Sequence, residues 1–85
     1  MNYKFMMALK QAGFDLQYAD ELQDEISYDV QNKICNLDRR IIKPLLYQSY
    51  QIVRKGEMNW NNAIEKCLED QNFMCGLIKD YINGN

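Results

Sequence analysis

Lys43, Tyr47, Tyr50 and Arg54 follow one another at spacings of four, three and four residues. At the helical repeat this gathers them within about 60° on one face. Two aromatics between two cations make an amphipathic stripe, able to press a flat apolar patch on a partner while its charges steer toward acid. Tyrosine and arginine also dominate measured interface energetics. Extended by Arg39 and Arg40, the same stripe would suit a phosphate backbone, which makes nucleic acid the alternative partner. The conservative expectation is that a neighbouring helix packs across it and leaves the tyrosines partly buried, with their hydroxyls in water.

Two further surfaces are candidates. Asp20, Glu21, Asp24 and Glu25 form an acidic run with no interleaved base. Like charges four apart on a helix each cost a few tenths of a kcal/mol, so the run calls for solvent, a basic neighbour or a basic partner. Phe73 and Leu77, an i, i+4 pair, would suit a dimer seam if exposed. The pattern favours instead a central helix that is apolar nearly all round.

Catalytic chemistry is poorly provided for. The chain has no histidine, and so lacks the commonest general base, metal ligand and partner of a nucleophile. Ser27 and Ser49 are its hydroxyl nucleophiles besides tyrosine, and neither lies in a recognisable elbow. Cys67 and Cys75 are eight apart, which turns them about 80° from each other on a helix. They are expected to be small buried hydrophobes rather than metal ligands. Cys35 points away from the apolar face of its helix, where Lys33 and Arg39 would be the bases to activate an accessible thiol. No catalytic residue, metal or cofactor is assigned; the chain is expected to bind rather than to catalyse.

These residues must be positioned by helices. No segment alternates with period two, and Gly13, Pro44, Gly56 and Gly84 are the credible breakers. A first short helix is predicted over residues 2–12, ended by Gly13, with Phe14 and Asp15 as staple and N-cap of the next. A second runs from Leu16 to about Cys35, its apolar face formed by Leu16, Ala19, Leu22, Ile26, Val30, Ile34 and Leu37. In the third, Ile41, Ile42, Leu45, Leu46, Ile52 and Val53 share a face with Ser49. Pro44 would cost about 3 kcal/mol in a helix interior, so it is predicted as the first-turn residue of a helix running to Lys55, after a short turn near Asp38. The fourth opens at Asn59 and runs to about Ile82. Its inner face holds Trp60, Ile64, Cys67, Leu68, Met74, Cys75, Ile78, Tyr81 and Ile82, with Gln71 intruding and a break near Asp70–Asn72 as the alternative.

Eighty-five residues make one domain, residues 1–85. The expected fold is all-α, a small helical bundle of three long helices plus a short N-terminal one. A net charge of −2 excludes a protein that coats nucleic acid by bulk charge. Residues 11–32 hold six acids and no base, whereas residues 33–55 hold six bases and one acid. The simplest account is two neighbouring antiparallel helices of complementary charge. No apolar run approaches the roughly 20 residues of a membrane span, the start lacks the features of a signal peptide, and three cysteines form no disulfide framework. A cytoplasmic location follows as the expectation. The Asn-, Lys-, Ile- and Tyr-rich style suits a small accessory protein of an AT-rich bacterial or phage genome. The leading reading is a protein-binding module (adaptor, inhibitor or regulatory subunit) that acts through the third helix, with homo-oligomerisation also open to it.

Overall fold

The computed structural model describes residues 2–82, with the side chains of Tyr81 and Ile82 outside the described set. The expected stop at Gly84 and the expected inner positions Tyr81 and Ile82 therefore lie beyond what is described. Among the described residues the fold is all-helical, as expected, but six helices replace four: α1 Tyr3–Gln11, α2 Leu16–Gln23, α3 Tyr28–Cys35, α4 Arg39–Arg54, α5 Trp60–Glu69 and α6 Gln71–Ile82. Two of the predicted long helices are broken in the middle.

Gly13 and Asp15 act as read, while α1 begins one residue later than expected. Asn2 caps α1 by accepting the Phe5 N–H. Gly13 leaves it with φ of 104°, a conformation that costs a side chain dearly. Asp15 then caps α2, its carboxylate accepting the Tyr18 N–H at 2.7 Å.

The predicted second helix ends early because Ser27 competes with the helix for backbone partners. Its side chain accepts the Val30 N–H and starts α3, while its own N–H donates to Asn61 Oδ1 on α5 at 2.9 Å. Gln31 holds the turn from inside. Its buried Nε2 donates to the carbonyls of Gln23, at 2.9 Å, and Ile26, at 2.8 Å, so carbonyls released by the end of α2 are satisfied. The apolar face survives the break: Ala19, Leu22, Ile26, Val30 and Ile34 are all buried. Leu16, expected among them, is exposed.

The predicted fourth helix breaks at Asp70, where the alternative had placed it. Asp70 closes α5 through its N–H, which reaches Lys66 O and Cys67 O, and opens α6 by accepting from Phe73 with its side chain and from Met74 with its carbonyl. Re-aiming the chain there changes which face is inward. Ile64 and Cys67 are buried as expected, but Cys75 and Ile78 are exposed and Gln71 stands in water, with no need of an internal partner.

In α4 the expectation errs the other way. The helix starts at Arg39, capped by Asp38, whose Oδ1 accepts the Arg40 N–H at 2.9 Å, so Pro44 lies inside it. Ile41 and Ile42, before the proline, are buried together with Leu45, Leu46 and Ser49 after it. Each such aliphatic is worth about 1.5–3 kcal/mol when buried, which outweighs the cost of the ring. Ser49 satisfies its hydroxyl by donating to Leu45 O at 2.9 Å. This helix, rather than the last one, is central: α1, α5 and α6 all pack on it.

The α2–α3 break yields a test whose sign is diagnostic. Ser27→Ala removes an N-cap and is expected to lower unfolding free energy by about 1 kcal/mol in denaturant titrations. A continuous helix through residue 27 would instead gain a few tenths of a kcal/mol, because alanine is the better helix former.

Candidate functional site

The stripe stands on the side of α4 opposite its buried face, so α4 itself decides its exposure. Among the described residues no helix crosses it: Tyr47 is 59% and Tyr50 47% exposed, and Lys43 and Arg54 are exposed as well. The expectation that a neighbouring helix would cover the tyrosines is thus overturned: Tyr50 meets one ring of α5, that of Trp60, and both tyrosines stay exposed.

The stripe is not one surface, however, but a ridge between two clefts. The larger, about 860 Å³, lies between the first half of α4, the end of α1 and the outer part of α6. Ala12, Ile41, Pro44, Tyr47 and Leu77 give it apolar walls, Arg40 and Lys43 stand at its edge, and Asp80 is its acid. Lys43 is steered from the other side, its Nζ 5.9 Å from the centre of the Phe14 ring, a cation–π contact. Tyr50 turns away from this groove and stacks on Trp60, ring centres 6.0 Å apart. Arg54 lines neither cleft.

The two arginines before the stripe are already engaged. Arg39 Nε donates to Gln11 Oε1 on α1 at 2.8 Å, and its Nη1 donates to the carbonyls of Cys35, at 2.8 Å, and Leu37, at 3.0 Å. It ties the end of α3 to α1 and to the start of α4, so its first role is structural. Arg40 pairs with Asp38, Nε to Oδ1 at 3.2 Å. The hydrogen bond from the Arg40 backbone, and after it the guanidinium, hold the Asp38 carboxyl below its ordinary range.

Phe73 and Leu77 are both half-buried, and Phe73 packs against the core. They do not form a free apolar seam; Leu77 instead completes the wall opposite Tyr47. Periodicity could not reveal that pairing, since the two residues belong to different helices and meet only through the turn at Asp70.

Asp20, Glu21, Asp24 and Glu25 are all exposed on α2 and the turn after it. The expected charge pairing with the basic helix is not what holds them: α2 docks chiefly on α1. The two ion pairs between described side chains, Lys33–Glu65 at 3.8 Å and Arg40–Asp38, do not involve the run.

Cys35 borders a small cleft between Lys4, Met7 and Arg39. Burial pushes its thiol up, against the opposing pull of the Arg39 and Lys4 cations, so the reactive thiolate is disfavoured there. Among the described residues no group of three or more histidine, cysteine or carboxylate side chains is arranged to hold a metal ion, and no helix is long and apolar enough to cross a membrane. No protein-family model, curated protein or solved structure matches the chain.

The contrast between Arg39 and its neighbours can be measured. Arg39→Ala is expected to lower stability by about 1–2 kcal/mol through the loss of charge-assisted hydrogen bonds. Lys43→Ala and Arg54→Ala are expected to stay within about 0.5 kcal/mol. Thermal unfolding of the three variants separates the clamp from the exposed stripe.

Proposed function

We propose that the protein is a non-enzymatic binding module, an adaptor, inhibitor or regulatory subunit, that engages another protein through the groove between α4 and α6. The observation that carries this reading is the pairing of an apolar wall with a cationic edge in one open groove of about 860 Å³. Tyr47 and Leu77 face a common space that neither can fill, and exposed aromatic surface of this kind is costly unless a partner covers it. Lys43 at the rim gives such a partner a charge to recognise, an acidic side chain beside its apolar anchor.

Binding of nucleic acid is the less well supported reading. Of its six candidate residues, Arg39 is occupied by three protein acceptors, Arg40 is paired with Asp38, and Tyr50 is stacked on Trp60. With a net charge of −2, few phosphates could be neutralised, and affinity for a backbone depends on that number.

The substitutions Lys43→Glu and Tyr47→Ala, both at exposed positions, are expected to leave helicity by circular dichroism unchanged. Combined, they are expected to weaken capture of a protein partner about tenfold or more, as loss of a central interface residue does. The measurement is affinity purification from the producing organism with wild type and double variant, each with and without nuclease. Recovery of nucleic acid alone, lost on nuclease treatment, would reverse the proposal.

A further inference from the structure

On the far side of the Tyr47–Tyr50 ridge lies a second cleft of opposite character. It measures about 370 Å³ and is bordered by Tyr18, Glu21, Leu22, Glu25, Val53 and Trp60. Its aromatic walls are held from behind. Tyr50 stacks on Trp60 with rings 28° apart, and Phe14 stacks on Tyr18 at 5.1 Å. Tyr18 is half-buried, and burial first, then the neighbouring Tyr50, raise its phenol above the ordinary value.

Among the described residues the carboxylates at the cleft form no ion pair. Glu21 accepts a hydrogen bond from Gln17 at 3.4 Å, and neither Glu21 nor Glu25 takes part in the ion pairs formed by Lys33 and Arg40. No base occurs anywhere in residues 11–32. Two aromatic rings, two aliphatic walls and two carboxylates around one space favour a particular ligand chemistry. The faces of tryptophan and tyrosine attract a cation, Leu22 and Val53 can receive an alkyl stem, and the carboxylates can accept from its charged head. An anion would be repelled, and a neutral apolar group would desolvate the carboxylates without pairing them.

We infer that this cleft receives the side chain of an arginine or lysine from a basic segment of a partner protein. The site is separate from the groove between α4 and α6 and does not depend on the reading given to that groove. Trp60, Tyr18 and Val53 line the walls, while Glu21 and Glu25 select charge.

Trp60 is the single tryptophan of the chain, so its fluorescence and its indole N–H resonance report on this cleft directly. The test is titration of the full chain with the peptide acetyl-Gly-Arg-Arg-Gly-amide, with acetyl-Gly-Glu-Glu-Gly-amide as the comparison. The arginine peptide is expected to give a saturable change at Trp60, and the glutamate peptide none. Glu21→Gln combined with Glu25→Gln is expected to weaken binding about fivefold to tenfold. Asp20→Asn with Asp24→Asn alters the net charge equally outside the cleft and should weaken it far less. Lys43→Glu with Tyr47→Ala should not reduce it, which keeps this result independent of the groove. The inference is overturned if the arginine peptide leaves Trp60 unperturbed at millimolar concentration. It is equally overturned if the glutamate peptide acts alike, or if the two acid pairs prove equivalent.

Discussion

A sixteen-residue helix that buries one stripe must show the opposite stripe to solvent, and α4 places this constraint on everything around it. Ile42, Leu45, Leu46 and Ser49 are almost wholly inaccessible, and α1, α5 and α6 all pack on this helix. Among the described residues no further helix covers the outward side. The positions of Lys43, Tyr47, Tyr50 and Arg54 are therefore consequences of core packing. The demand for a continuous buried face is also strong enough to carry the helix through Pro44, whose ring becomes part of the groove wall instead of a helix start.

Much of this was legible in the sequence where a single residue type has a single local consequence. Gly13 and Gly56 adopt the positive φ expected of helix ends. Asp15 and Asn59 cap the helices they precede, Asn59 by accepting the Asn62 N–H. The α4 face reads directly from its period. The break at Ser27 was not legible, because Leu22, Ile26, Val30 and Ile34 keep helical spacing across it. What ends α2 is a competition settled at a distance: Gln31 supplies two donors to the turn and Asn61, thirty-four residues away, supplies an acceptor. Periodicity records which residues go inward and is silent on which carbonyls find a better partner.

The same distinction applies to the candidate surface. The stripe was legible because its members lie on one helix. The groove was not, since it arises where Tyr47 meets Leu77 and where Ala12 ends α1. Leu77 could be placed only after Asp70 had turned α6 away from the line of α5. The roles of the arginines were misjudged for a related reason. Arg39 and Arg40 extend the stripe in sequence, yet a guanidinium beside three unsatisfied oxygens is drawn to them in preference to water, because hydrogen bonds from a cation are stronger than neutral ones. Arg39 thereby stabilises the corner from which α4 departs.

Charge in this molecule is segregated rather than paired. The acids of α2 and the bases of α4 are separated by the aromatic residues Phe14, Tyr18, Tyr50 and Trp60, which stack in two pairs. Had the two blocks met as neighbouring helices, they would have neutralised each other and left no polarity for a partner to recognise. Exposed ion pairs contribute little stability, so keeping them apart costs the fold little, while electrostatic complementarity governs the choice and rate of association. A cationic edge on one side of the ridge and a carboxylate-lined aromatic cleft on the other give the surface a direction. On the proposed function, a partner whose charges ran the opposite way across that ridge would meet repulsion on both sides, so the order of charges would select an orientation as well as a partner.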